Sequence, residues 1–154
     1  MPQLVKGGKH VFGWSIIKKE GTIKIPDDAY EEYGFKHGEK LIIMSASKRS
    51  GGFGLSSIKL LNNTPIGNSL KKINRLYNFQ IPEGEVIENG KRSYSWVKLC
   101  KNRTIKLSER ILRSFSVDKS SKLLVARGSG LALGFISKGP IFEEALKHST
   151  LETY

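Results

Sequence analysis

The sequence GTIKIPDDAYEEYGF (residues 21–35) occurs a second time in altered form, as RTIKLSERILRSFSV (residues 103–117). Both versions contain the tripeptide TIK, in which apolar and polar side chains alternate as they do in a strand with one buried face. Pro26 follows in the first version and Ser108 in the second, and both residue types favour the start of a helix. Each version therefore predicts a short strand that leads directly into a short helix.

The similarity continues on both sides of these stretches. Residues 3–46 align with residues 85–128 without a gap. The alignment places in register Gly8 with Gly90, Phe12 with Tyr94, and Trp14 with Trp96, the only two tryptophans of the chain. So many matches in the same order indicate an internal duplication.

A second hairpin is predicted after each short helix. Its strands cover residues 40–45 and 53–58 in the first copy, and residues 122–126 and 131–136 in the second. The turns between them, KRSGG and RGSG, are rich in glycine. A shortening of the second turn by four residues aligns GFGLSSI with GLALGFI in the strands that follow.

Further short elements complete each copy. Two-residue turns at Gly7-Gly8 and Asn89-Gly90 predict an N-terminal hairpin. Thr64 is a suitable cap for a helix that begins at Pro65, and a counterpart helix begins at Pro140. The apolar face of the helix that follows Thr64 is predicted to comprise Ile66, Leu70, Ile73 and Tyr77.

The two copies are predicted to fold together as one domain. The first occupies residues 3–77 and the second occupies residues 85–148. The connector at 78–84 is too short to tether independent domains, so we expect a shared core. The predicted fold class is mainly β with short helices (α+β).

The composition restricts the function. The 154-residue chain has a formal net charge of +12, which favours a polyanionic partner such as nucleic acid, although a solubilising surface charge is the alternative. Cys100 is the single cysteine, so an internal disulfide is excluded, and no residue spacing predicts a metal or a cofactor. No apolar leader or membrane-spanning run is present, and we expect a cytoplasmic protein without a membrane partner.

The stretch IKIPDDAYEEYGFKHGEKLIIMSA (residues 23–46) resembles the AbrB/SpoVT-like family. Units of that family follow the pattern G-x-hydrophobic-x-I-P, short helix, L/F-G-hydrophobic-x-x-G-D/E-x-hydrophobic. The first copy matches this pattern at Gly21, Ile25, Pro26, Gly34, Phe35, Gly38, Glu39 and Leu41. The second copy keeps the hydrophobic residues, but other residues replace the glycines, the proline and the glutamate: Arg103, Ser108, Ser116, Ser120 and Ser121. The resemblance implies a swapped-hairpin β-barrel that forms within one chain as a pseudo-dimer, a layout that also resembles MraZ.

Members of this family are mostly DNA-binding transcriptional regulators, which use arginines after the strand-initial glycine and along the short helix. These positions fall on Thr22, Thr104, Tyr30, Glu31, Leu112 and Arg113. Only Arg113 keeps the basic character, so a nucleic-acid face here is built differently. The resemblance and the net charge together predict a prokaryotic DNA-binding protein of the regulator type. The alternatives are a protein-interaction module with an antitoxin-like or assembly role, and an RNA-binding barrel; homo-oligomers of the pseudo-dimeric chain are a further option.

The candidate DNA contacts are basic residues of the central strands and of the second short helix. They are Lys98, Lys101, Arg103, Lys106, Arg110 and Arg113 in the second copy, and Lys18, Lys19 and Lys24 in the first. Arg110 and Arg113 align with Asp28 and Glu31, so an alternative is that these four residues form ion pairs between the two helices. Lysines on strands can equally prevent unwanted pairing at a sheet edge. The tryptophans could stack on bases, but their matched positions favour core packing.

No motif for catalysis is found. His10, His37 and His148 are scattered without a metal-ligand spacing, and phosphate-binding-loop, GxSxG and HExxH motifs are absent. The stretch KRSGGFG lies in a predicted hairpin turn and not between a strand and a helix, so it only weakly indicates a phosphate cradle. The sequence therefore predicts a protein that is not an enzyme.

Overall fold

A computed structural model describes residues 11–127, 130–148 and 150–154. The predicted turn at Gly7-Gly8 lies outside the described residues, as do two residues of the second glycine-rich turn, 128 and 129. In chain order the elements are β1 (Val11–Ile16), β2 (Thr22–Lys24), α1 (Asp27–Glu32), β3 (Lys40–Ser45), β4 (Phe53–Ser57), α2 (Ile58–Leu61), α3 (Pro65–Lys71), α4 (Asn74–Tyr77), β5 (Ile87–Asn89), β6 (Arg92–Lys98), β7 (Thr104–Lys106), α5 (Glu109–Ser114), β8 (Lys122–Arg127), β9 (Leu133–Ile136) and α6 (Pro140–Leu146).

The strands form two sheets. The larger sheet has the order β1-β8-β9-β4-β3-β6-β5 and is antiparallel throughout, while β2 and β7 form a separate antiparallel ribbon. The larger sheet ends at β1 and β5, so the ladders among the described strands do not close into a ring. The prediction of a mainly β fold with short helices is confirmed.

Strands of one copy pair with strands of the other copy. Trp14 in β1 lies opposite Leu124 in β8. The residue aligned with Trp14, Trp96 in β6, lies opposite Ile42, which is the residue aligned with Leu124. The ribbon likewise pairs β2 with its own counterpart, β7. The pairings thus match under the alignment of the two copies, and the two halves build the larger sheet jointly.

A β-bulge in β1 makes one predicted match wrong. The register slips between Val11 and Gly13, where β1 carries one more residue than its partner strand. Val11, and not Phe12, therefore takes the place that corresponds to Tyr94. The Phe12 ring enters the opposite face of the sheet, where it joins the main core.

The segment 152–154 covers the free edge of β1 beside this bulge. The N–H of Trp14 donates to the backbone oxygen of Glu152 at 2.8 Å, and the N–H of Tyr154 donates to the backbone oxygen of Trp14 at 2.7 Å. Gly13 has a φ of +138°, and a Cβ at this position would lie 2.6 Å from the Glu152 oxygen. Only glycine therefore admits this close approach without displacing the segment.

The second hairpins align differently from the prediction. Ile43 in β3 pairs with Leu55, whereas the aligned residue Val125 in β8 pairs with Phe135. The second turn is thus shorter by two residues, and the predicted four-residue shortening is wrong. Gly54 corresponds to Gly134, and these two glycines pair with each other where β4 meets β9.

The helix after Thr64 is shorter than predicted. The Thr64 hydroxyl accepts a hydrogen bond from the N–H of Gly67 at 3.0 Å, which confirms the predicted cap. The chain leaves helical geometry at Ile73, with φ −96° and ψ 72°, so α3 ends at Lys71 and α4 is a separate turn. Ile66, near the start of α3, lies at the surface with 41% exposure and does not join the predicted apolar face.

Apolar side chains cover both faces of the larger sheet. The main core lies between one face and a layer formed by the ribbon, α1 and α5. On the other face, Trp14 packs beneath α6, and Trp96 packs beneath α2, α3 and α4. Both tryptophans are buried, at 5% and 8% exposure, which confirms the prediction of core packing.

Candidate nucleic-acid interface

The β2–β7 ribbon presents its polar face to solvent on the side away from the larger sheet. Ile23 and Ile105, which lie opposite each other, are fully buried beneath it. Because side chains alternate along a strand, Lys24 and Lys106 project from the outer face together with two threonines. The prediction that strand lysines face outward is therefore met at both positions.

Two loops place further lysines beside the ribbon. Lys18 and Lys19 are exposed in the turn between β1 and β2, where the N–H of Lys18 donates to the backbone oxygen of Thr22. Lys101 is exposed in a short 3-10 turn before β7, and its backbone oxygen accepts a hydrogen bond from the hydroxyl of Thr104 at 2.8 Å. The ribbon and its two loops thus bring together five of the nine candidate residues: Lys18, Lys19, Lys24, Lys101 and Lys106.

One acid, Glu20, interrupts this basic ribbon. Its own backbone N–H and the Thr22 hydroxyl, 3.0 Å away, donate hydrogen bonds to the carboxylate, and Lys106 and Lys18 lie nearby. These contacts hold the pKa of Glu20 below its ordinary value, so the group stays ionised. The ammonium of Lys106 also contacts the backbone oxygen of Glu20. This end of the ribbon is therefore less positive than the number of lysines alone indicates.

The side chain of Arg103, a residue of the second copy, contacts α1 of the first copy. Its guanidinium lies 3.4 Å from a carboxylate oxygen of Asp27 and 5.1 Å from the centre of the Tyr30 ring. Its φ of +58° belongs to the left-handed region, in which the aligned residue Gly21 also lies at +86°. An arginine at a glycine-type position costs backbone free energy, which its contacts with α1 offset in part.

The 3-10 turn before β7 and its surroundings form an open concavity of about 440 Å³ beside the ribbon. Tyr30, His37, Cys100, Lys101, Asn102 and Arg103 line it. Sequence reasoning missed Tyr30 and Asn102 as members of this surface. Tyr30 stood at a family contact position and was set aside because it is not basic, and nothing local in the sequence marks Asn102.

Arg110 and Arg113 lie on α5, which Ser108 caps by accepting a hydrogen bond from the N–H of Ile111 at 3.1 Å. Both arginines are exposed, and no ion pair involves either of them within the described residues. Arg113 lines a shallow pocket of about 290 Å³ that also contains Lys119. Arg110 does not line this pocket.

Ion pairs near the short helices differ from the predicted alternative. In the described part of the chain, Asp28 and Glu31 make no ion pair with the arginines of α5. Glu109 instead binds Lys119 at 2.9 Å, and this hydrogen bond and charge hold the pKa of Glu109 below its ordinary value. The alternative of ion pairs between the acids of α1 and the arginines of α5 is therefore wrong.

Lys98 lies apart from the ribbon. It is the last residue of β6, opposite Lys40 in β3, and it belongs to the larger sheet. Its backbone N–H donates to the carboxylate of Glu83 at 2.8 Å. Its exposed side chain extends the positive surface toward β3 but does not join the five lysines of the ribbon.

Comparisons with known proteins do not assign the chain to a family. No family model matches the sequence, and no curated protein matches it. The chain is similar to the solution structure of PHS018 from Pyrococcus horikoshii, with 11% identity over 91% of this chain and 100% of that chain, and with a TM-score of 0.37. Similarity at this level does not establish a shared fold.

No three histidine, cysteine, aspartate or glutamate side chains of the described residues are grouped so that they could hold a metal ion. No helix in the described ranges combines the length and the apolar character that a membrane crossing requires.

Proposed function

We propose that the chain is a DNA-binding protein of the regulator type, in which two AbrB/SpoVT-like repeats form an intramolecular pseudo-dimer of the swapped-hairpin barrel kind. The observation that carries the proposal is the set of five lysines along the β2–β7 ribbon and its loops. A lysine-rich ribbon contacts phosphates without reading base edges. The expected binding is modest in affinity and largely independent of sequence.

The test measures duplex DNA binding by fluorescence anisotropy over a series of salt concentrations. Log K should fall linearly with log salt, by about 0.9 for each phosphate contact. The variant Lys24→Gln/Lys106→Gln should bind more weakly, and its slope should be smaller by about 0.9 for each lysine that was lost. Absence of binding at low salt, or a flat salt dependence, would contradict the proposal.

The matched control is Lys71→Gln/Lys72→Gln, which removes the same charge at the end of α3. Both lysines are exposed, and α3 covers the opposite face of the larger sheet. This variant should keep the parent's affinity and slope. An equal loss in both variants would show that DNA responds to net charge only and that the ribbon is not the contact surface.

A second pair of variants tests the short helices. Arg110→Ala/Arg113→Ala should weaken DNA binding, because both arginines are exposed without an ion-pair partner in the described chain. Asp28→Ala/Glu31→Ala removes two acids from α1 and should leave DNA binding unchanged or strengthen it. If the arginine variant binds DNA like the parent, α5 is not part of the interface.

The alternative of a protein-interaction module is favoured by a single observation. Arg103 is bound to Asp27 and Tyr30 of the same chain, so one predicted DNA contact already has partners within the protein. Lack of binding to duplex DNA and to duplex RNA at low salt would support this module. Preference for RNA over DNA at equal salt would support the RNA-binding alternative.

A further inference from the structure

A further concave surface lies between the β3–β4 hairpin and the C-terminal end of α5. This pocket has a volume of about 460 Å³ and is lined by six serines, by two glycines of the KRSGGFG turn, and by the ammonium-bearing side chains of Lys48, Lys91 and Lys138. No carboxylate lies among its lining residues. The glycine-rich turn, which only weakly indicated a phosphate cradle in the sequence, therefore forms one wall of a basic, hydroxyl-lined pocket.

The two halves of the molecule differ at one pair of positions that line this pocket. In the other half, Nε and Nη2 of Arg127 donate to the two carboxylate oxygens of Glu32 at 2.6 Å, which joins the end of β8 to the end of α1. The residues aligned with Arg127 and Glu32 are Ser45 and Ser114. Two short side chains thus replace an ion pair, and the space between strand and helix is left open.

The side chains that line the pocket favour the binding of an anion. Lysines offer only donors, and serine hydroxyls can donate to an oxyanion. The Ser45 hydroxyl accepts from the N–H of Ser93 at 3.0 Å, which leaves its proton free to point at a ligand. Three lysines without a carboxylate repel one another, and a bound anion would remove this repulsion.

We propose that this pocket binds a small phosphate-bearing molecule. The volume lies within the range of about 300–1,000 Å³ typical of small-molecule sites, so it holds more than a bare phosphate group. The lysines and hydroxyls bind the phosphate oxygens. The site is separate from the ribbon lysines and does not depend on DNA binding.

The test titrates inorganic pyrophosphate into the full chain at low salt by isothermal calorimetry. The parent should show saturable binding to one site. Ser45→Arg/Ser114→Glu rebuilds the ion pair of the other half and should weaken binding at least tenfold while the melting temperature is kept. Lys91→Gln/Lys138→Gln should also weaken binding at least tenfold, and it decides the matter if the first variant does not fold.

Lys71→Gln/Lys72→Gln serves as the charge-matched control and should bind pyrophosphate like the parent. Absence of saturable binding, unchanged binding in the pocket variants, or an equal loss in the control would each overturn the proposal. Duplex DNA provides the last arm. If the Ser45→Arg/Ser114→Glu variant loses DNA affinity by the same factor as pyrophosphate affinity, the pocket serves the DNA backbone, and the small-ligand proposal is overturned.

Discussion

Replacement of Phe53 by alanine tests whether the two halves share one core. Phe53 is fully buried in β4, and its ring stacks on Phe135 of the other copy, with ring centroids 4.7 Å apart. It also lies 6.2 Å, between ring centroids, from Phe115. Truncation of such a ring costs about 3–5 kcal/mol, because it leaves a cavity beside Phe135 and Phe115 of the other copy.

For a chain of this length each kcal/mol lowers the melting temperature by about 2–4 °C. The expected fall in melting temperature for Phe53→Ala is therefore about 6–20 °C. Phe53→Leu should cost less than about 1.5 kcal/mol, since it keeps most of the apolar volume. Leu146→Ala, at a residue 48% exposed on α6, should cost about 0.5 kcal/mol or less and is the control.

The assay is thermal unfolding followed by tryptophan fluorescence in single-tryptophan backgrounds. Trp14 and Trp96 report on separate clusters of the outer face, one beneath α6 and the other beneath α2, α3 and α4. If the core is shared, Phe53→Ala shifts the midpoint equally for both reporters. A shift seen by one tryptophan alone would refute the shared core and would mean that the halves unfold separately.

Three further outcomes are expected. Gly13→Ala should destabilise the protein more than Gly34→Ala in thermal unfolding, because both glycines have positive φ but a Cβ at Gly34 would meet no atom within 4 Å; equal losses would show that the 152–154 segment does not hold β1. Burial raises the pKa of Tyr33 from 10.0 to about 12, so its stabilising contribution is complete below pH 10 and is lost as the pH rises toward 12. Tyr33→Phe should remove this part of the pH dependence, and an unchanged urea-midpoint profile between pH 9 and 12 would contradict it. Isolated fragments 3–77 and 85–148 should be unfolded or dimeric by analytical ultracentrifugation and circular dichroism, and a fragment that is monomeric and folds cooperatively would refute the joint sheet.

Local patterns in the sequence were sufficient for the elements that depend on local forces. The alternation in both TIK tripeptides predicted β2 and β7, and Thr64 was confirmed as a cap. The register of the second hairpins was not predictable, because the glycine-rich turns have no periodicity and the pairing of Gly54 with Gly134 joins different copies. The bulge at Gly13 was missed for a similar reason, since a segment more than a hundred residues away fills the space beside it.

The candidate surface, too, was predictable only where local sequence patterns determine it. Strand periodicity was sufficient to place Lys24 and Lys106 on an outer face. The contacts of Arg103 with Asp27 and Tyr30 join residues of different copies, so no spacing within either copy indicates them. Positive φ at Arg103 was equally hidden, although its alignment with Gly21 is a signal that could have been used.

The fusion of two copies has a consequence for how such a molecule changes over time. In a dimer of identical chains, a substitution that loosens one end also loosens the other end, since both are encoded once. Here the Arg127–Glu32 clamp remains at one end while Ser45 and Ser114 occupy the other. Because the two ends are encoded by different residues, a substitution at one end can change it without changing the other.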